Sequence, residues 1–502
     1  MKNPMKVLPW IRGSASLAVC VLALAILGSA GNAWAANPCE VTTLNDSGSG
    51  SLRAAIADTA CNTITFKVHG TITLTSGALT ISRNLDIEGP GARHLKISGN
   101  NAGRVFVIQS LPTPPNPTVI LAGMTIGDGL ADASLPNFAN IGGGILNRAT
   151  LTLSEVVVSD NQALGDASKS PLFLSPAGGF PGGGFGGGVG NFGTLTVNDS
   201  SFIDNLAWGG DGSSPHGNDR QLAGFGGGGA IDNFGNLTVT NSRFSHNRAV
   251  GGNNCESLYL SGHGFGGAIA SGNLGITMLV SDSSFDHNQA IGGNGNISPP
   301  PAAFGPNKSS GGAINVTGGT ATIENCTLDH NQSIGGAGAS GADGGIGAGG
   351  AIHATDFSRL ATNATIHNSN VEHNTALGGP GGLGGNGGEG TGGGLTSTAG
   401  AILSVISTTV AHNHAKGGES GVGGNGGNGL GGGLYDYSDA TLNLQDNTIV
   451  SYNLALGGEA EDGGIDGQGI GGGVYYLGTY SADPDTDIEK NQASTGNDNV
   501  WP

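Results

Sequence analysis

The chain has 502 residues, 98 of them glycine, with 5% aromatic residues and a formal net charge of −19. With 37 acidic against 18 basic residues, it lacks the Lys and Arg supply that nucleic-acid binding needs to neutralise phosphates. The same charge disfavours polyanionic glycans such as pectate or alginate, and leaves neutral glycans, cations and protein surfaces as partners.

Residues 1–35 read as an export signal. Lys2, Lys6 and Arg12 precede an apolar run over 17–27, and Ala33-Trp34-Ala35 offers a cleavage point before Ala36. The run is too short to span a bilayer comfortably. Cys20 follows Val19 inside that run, which is poor context for lipid attachment. No later stretch has the length of a membrane span, and no alternating C-terminal barrel series occurs. The mature chain is therefore expected to be secreted or at the cell surface, as a monomer with no membrane span. Of its four cysteines, Cys39 and Cys61 are expected to pair and clamp the N-terminal segment, while the state of Cys255 and Cys326 is left open.

Residues 36–63 read as a cap. Ser51 is placed to cap a short helix formed by Leu52-Arg53-Ala54-Ala55-Ile56-Ala57, covering strand edges that would otherwise invite aggregation. Irregular opening coils follow over 64–140, with short β-prone pieces such as Gly70-Thr71-Ile72-Thr73-Leu74. The prolines over 112–117 and 299–301 mark insertions.

From 141 to 493 one pattern repeats at intervals of about 40 residues, which means stacked copies of one unit. Each copy carries Gly-Gly-(Ala/Gly)-apolar and then apolar-x-x-Asn, ending at Asn161, Asn205, Asn247, Asn288, Asn331, Asn374, Asn413, Asn453 and Asn491. Within one unit Leu237 and Val239 alternate with Thr238 and Thr240, the period of a strand with one buried face. No helical periodicity of comparable length appears. The expected fold is all-β, a single-stranded right-handed parallel β-helix with an N-terminal cap and Gly-rich side loops, closing in a tail over 494–502. The ladder asparagines are assigned to corners, where Asn tolerates a left-handed backbone and can bond its neighbour one coil away. A second Asx file includes Asp199, Asn241, Asp282, Asn325, Asn368 and Asn447. The Gly-rich loops read either as flexible linkers or as extended strands with three residues per turn and backbone cross-bonding.

The Gly-Gly-Ala-Ile motifs at 228–231, 266–269, 311–314 and 349–352, with Phe-x-x-Asn at 202–205, 244–247 and 285–288, resemble polymorphic outer-membrane protein repeats. The segment 45–56 resembles the module that opens many secreted bacterial β-helix proteins. The resemblance implies the fold and an extracellular setting. It is weak on activity, because such helices serve as adhesins, scaffolds and carbohydrate-active enzymes. The C-terminal barrel of the autotransporter pattern is missing.

The residues that precede the ladder asparagines form the main chemical candidate: Asp160, Asp204, His246, His287, His330, His373, His412, Tyr452 and Lys490. Alternation from Phe285 would aim His287 inward, yet Asn288 and Ala290 claim the interior, so the histidines are expected outside. As a polar stack they would only keep the corner soluble. His246, His287, His330 and His373 could instead ligate zinc, copper or nickel. In a third reading His287, His330 or His373 acts as a general base beside Asp286, Asp329 or Glu372. No cofactor is expected, a transition metal or calcium being the only class left open, and scattered acids such as Asp343 and Asp466 do not make a calcium nonapeptide. Tyr435, Tyr437, Tyr475 and Tyr476 could stack sugar rings. The favoured expectation is a non-catalytic adhesin-like or scaffold protein, binding glycan or protein through a repetitive face. The alternative is a polysaccharide lyase or glycoside hydrolase.

Overall fold

The computed structural model describes residues 38–132, 134–135, 140–166, 182–212, 222–255, 260–272, 275–296, 307–356 and 361–502. The proposed export signal lies outside the described residues. Residues 37–502 form one compact unit.

That unit is a parallel β-solenoid. A regular coil takes one strand to each of five sheets, as in Ile231–Asn233, Asn236–Thr240, Arg243–Ser245, Arg248–Val250 and, after a loop, Gly264–Phe265. We number these sheets 1 to 5 in that order. Among the described residues they hold 12, 13, 12, 10 and 8 strands, and their pairs are parallel and in register from coil to coil. The only helix among the described residues is Leu52–Ala57. Ser51 caps it by accepting a hydrogen bond from the Ala54 amide, and the helix packs against Pro38–Val41 and Leu79–Ile81. Cys39 and Cys61 form a disulfide beside it. Val500–Trp501, in the segment read as a tail, is the last strand of sheet 1.

Side chains of like kind fill the interior in files. Phe202, Phe244 and Phe285 stack with ring centroids 4.8 Å apart, continued by the fully buried Leu328, Val371, Val410 and Val450. A file of small residues on sheet 4, Ala163, Ala207, Ala249, Ala290, Ser333, Ala376, Ala415 and Ala455, is buried as well and is packed by sheet 5, where Ser309 Oγ meets Ser333 Oγ at 2.9 Å. Burying each large apolar side chain contributes about 1.5–3 kcal/mol, so stability accumulates coil by coil.

The asparagine ladder is internal, as the inward claim of Asn288 implied, but the asparagines are not themselves the left-handed residues of the corner. Asn161 to Asn453 are at most 1% exposed. Each donates its Nδ2 to the next Oδ1 at 2.9–3.0 Å, as Asn247 does to Asn288 and Asn288 to Asn331. The Nδ2 also donates to the carbonyl of a large core residue, Phe244 for Asn288, while the Oδ1 accepts the backbone N–H of the preceding ladder residue. All polar capacity is used, as buried amides require. The left-handed residue is its predecessor, with His246 at φ 57° and His287 at φ 56°. The second Asx file does sit at a left-handed corner, from Asp199 at φ 49° to Asn447 at φ 59°.

The Gly-Gly motif has two separate causes. Gly228 has φ 57°, where a side chain is strained. A Cβ on Gly229 would lie 2.3 Å from the Gly267 carbonyl oxygen of the next coil.

The late side loops are ordered. In 335–347, 378–390, 417–429 and 457–469 the outgoing and returning arms bond to each other and to the neighbouring loop. Gly388 N–H donates to Gly379 O, Gly418 to Gly388, Gly427 to Gly418 and Gly458 to Gly427, each at 2.8–2.9 Å. A second relay runs from Gly424 to Gly421, Gly385 and Gly382 at 2.7–3.0 Å. Bonding at every third residue is the signature of three-residue-per-turn strands lying side by side. A Cβ on Gly427 would lie 1.9 Å from Gly388 O, so only glycine fits.

Candidate functional site

The histidine file stands at the corner between sheets 3 and 4. Its left-handed residue puts two side chains, rather than one, between the inward Phe285 and the inward Asn288. That shift of parity turns every imidazole outward: His246, His287, His330, His373 and His412 are exposed, all with φ between 53° and 57°. Histidine is one of the few residue types enriched in this conformation. Successive rings stack at 5.1, 5.1, 4.9 and 5.2 Å, and Tyr452 continues the column 5.1 Å from His412.

Carboxylates flank three of the rings. Asp286, Asp329 and Glu372 are cross-strand partners on sheet 3, about 4.8 Å apart as neighbouring strands are. Arg243 clamps Asp286 with bonds of 2.9 and 3.1 Å, which raises the pKa of the guanidinium. His287 Nδ1 is 3.5 Å from the same carboxylate. Asp329 is shared between two rings, with its oxygens 2.8 Å from His330 Nδ1 and 3.1 Å from His373 Nδ1. The structure thus brings Asp329, His330 and His373 together and ties Asp286 to Arg243. His246 meets His287 only by stacking. Burial, then the neighbouring His373 and His412, lowers the pKa of His414 on the next strand.

The four tyrosines do not form one surface row. Tyr435 is 5% exposed and stacks on Tyr475 at 5.5 Å, and burial pushes its hydroxyl pKa well up. Tyr437 is exposed, and Tyr476 stacks on Tyr480 at 4.6 Å. Cys255 and Cys326 are buried thiols. Cys326 stands in a file of inward hydroxyls, Ser200, Ser242, Ser283, Ser369 and Thr408, and its Sγ lies 3.2 Å from Glu324 O. Burial pushes that thiol up to about 11.

Three features escaped the sequence reading. A shorter ladder, Asn147 to Asn191 to Asn233, bonds at 2.7 Å per step, and its signal is the Asn that ends the strand after the Gly-Gly motif in these three coils. Sheet 5 covers the outward face of sheet 1, burying Asp232 and His353 there. His353 is satisfied by Asn315 Oδ1 at 2.9 Å and Thr398 Oγ1 at 3.1 Å, whereas Asp232 Oδ2 has no partner among the described residues, and burial raises its pKa strongly. Lastly, the outward face of sheet 2 carries one polar file in register: Thr152, Thr196, Thr238, then Leu279, then Thr322, Thr365, Ser404, Asn443 and Ser481. Thr194, Asn236, Thr277, Thr320 and Asn363 form a parallel, exposed file beside it. At the edge of this face lies an open groove lined by Asp199, Asn241, Arg243, Asp282, Ser284 and Asn325.

No protein-family model and no curated protein matches the chain. The resemblance to outer-membrane repeats therefore rests on the motifs themselves. Among solved structures, the chain is similar to the A-module of a mannuronan C-5 epimerase from Azotobacter vinelandii, at 11% identity and a TM-score of 0.30, covering 89% of this chain and 96% of that one. It is also similar to the catalytic unit of a thermostable alpha-1,3-glucanase from Streptomyces thermodiastaticus, at 13% identity and a TM-score of 0.35, covering 92% and 70%. A surface adhesin of Streptococcus pneumoniae matches at 11% identity and a TM-score of 0.28, covering 82% and 87%. Likeness at this level transfers no residue and no activity. No helix among the described residues is long and apolar enough to cross a membrane.

Proposed function

We propose that the protein is exported and acts as a non-catalytic binding surface of adhesin or scaffold type, holding neutral glycan or protein along the outward face of sheet 2. The supporting observation is the in-register file of hydroxyl and amide side chains from Thr152 to Ser481. Such a face offers many weak hydrogen bonds at strand spacing, and their number replaces the depth of a pocket. Of the four tyrosines only Tyr437 keeps the sugar-stacking role, since Tyr435 is buried, Tyr475 is stacked between Tyr435 and Trp501, and Tyr476 packs against the core.

The rival reading is a polysaccharide-active enzyme, and the placement of Asp329 between His330 and His373 favours it. A hydrolase needs two carboxyl groups roughly 5–9.5 Å apart, one protonated and one not. Stacking supplies such spacing on any coil, and here Asp286 is already neutralised by Arg243. Incubation with a panel of neutral and acidic glycans decides between the two. The binding reading expects affinity that rises steeply with oligosaccharide length, no new reducing ends or unsaturated products, and at least about a tenfold loss for the Thr196→Lys/Thr322→Lys pair. Turnover that disappears in His330→Ala would overturn it.

A further inference from the structure

The Asp329 corner does something that its neighbours do not. Asp286 and His287 occupy the equivalent positions one coil earlier, yet there an arginine takes the carboxylate and the imidazole stands 3.5 Å away. At Asp329 no arginine among the described residues intervenes: the file that gives Arg243 gives Ser284 and Thr327 on the following coils. Two imidazoles from successive coils turn their Nδ1 atoms to one carboxylate instead, at 2.8 and 3.1 Å. The three ligand atoms all lie within 4.8 Å of one another. The side chains are 36% exposed for Asp329, 50% for His330 and 46% for His373, which leaves room for water or a further ligand.

We infer that Asp329, His330 and His373 form a binding site for a divalent first-row transition ion, linking one coil of the solenoid to the next. Two imidazole nitrogens and one carboxylate oxygen suit zinc, copper or nickel. Calcium and magnesium take six or more oxygen ligands, and this corner does not supply them. The backbone of the site is pre-organised, whereas the two rings lie nearly parallel, with 14° between their planes, and must turn out of the stack for their in-plane lone pairs to converge. The backbone of each histidine is fixed by its left-handed corner, and each ring is stacked on both sides, His330 between His287 and His373, and His373 between His330 and His412. Rotation about χ2, a soft torsion for histidine, is what remains to bring both lone pairs onto one ion. An imidazole that ligates through Nδ1 carries its one proton on the other ring nitrogen. The carboxylate, now a ligand, keeps its negative charge against the ion.

The site lies between sheets 3 and 4, away from the face proposed for glycan or protein, so either reading can fail without the other. The experiment is calorimetric titration of the untagged, exported chain with zinc chloride at neutral pH, repeated with calcium chloride. Zinc should bind, and calcium at this corner should not. His373→Ala should remove one bound ion, and Asp329→Asn should weaken that ion's binding by at least about tenfold. His69→Ala, remote from the corner, should titrate as the parent does. A measurement on the unmodified protein guards against variants that fold poorly. Zinc should protect His330 and His373, and not His69, from acylation by diethyl pyrocarbonate read by mass spectrometry. Absence of zinc binding, unchanged binding in both corner variants, or equal acylation with and without zinc would each overturn the site.

Discussion

The coil interior and the glycine slab are two stacks built on the same repeat, and they are held in register by opposite means. Inside the coils side chains do the work: phenylalanines at 4.8 Å and asparagines bonded at 2.9 Å join each turn to the next. In the loops the side chains are gone, and backbone N–H groups donate across arms at 2.8–2.9 Å. The interior tolerates variety provided volume and polarity are kept, as Phe285 giving way to Leu328 and Val371 shows. The slab tolerates none where a carbonyl sits under 2 Å from the position a Cβ would take.

The largest expected effect is on the interior side. Asn288→Leu leaves the buried backbone and side-chain N–H groups of Asn247 without their acceptor. Each orphaned group costs about 1–3 kcal/mol, so the variant should lose several kcal/mol in urea unfolding, whereas a conservative exchange in the Phe file should not.

Asp436 is a defect in the same interior. It stands fully buried, in register with Ser397, which donates to its Oδ1 at 2.5 Å while its Oδ2 has no partner among the described residues. Burial, with help from the Asp439 charge, raises its pKa from 3.8 to about 6 against the opposing Ser397 bond. The folded form therefore favours the protonated acid: the contribution to stability is fully present below about pH 3.8 and is lost as the pH rises through about 6. Asp436→Asn should raise the melting temperature at alkaline pH, by roughly 1–3 kcal/mol in stability, and change little near pH 4. A gain that does not depend on pH would contradict this.

On the slab side, Gly427→Ala should cost about 1–3 kcal/mol through steric overlap with Gly388 O, and should speed amide exchange in the neighbouring loops before it touches the coils. The smallest effect belongs to the exposed corner. His287→Asn keeps a residue type that accepts the left-handed backbone and should shift stability by no more than about 0.5 kcal/mol.

Much of this was legible in the sequence. Alternation in Leu237-Thr238-Val239-Thr240 and the spacing of Phe-x-x-Asn were enough for the parallel stack, and the clash between inward Phe285, Asn288 and Ala290 placed the histidines outside. The division of labour at the corner was not legible. Which of two adjacent residues takes the left-handed conformation depends on which side chain has buried partners, and the Asn288 amide finds them in Phe244 O and Asn331. The pairing of Asp329 with two imidazoles likewise needed register between coils, because His330 and His373 are far apart in the chain. Sheet 5, which buries Asp232 and His353, is built from glycine-rich pairs of residues too short to show a period.

The claim that the loops are a bonded slab is tested most directly by native-state amide hydrogen exchange. The amides of Gly379, Gly388, Gly418, Gly427 and Gly458 should exchange as slowly as those of Asn288 and Asn331 in the coils. Exchange of those glycines at the rate of an unstructured chain, with the coil amides still protected, would contradict the account.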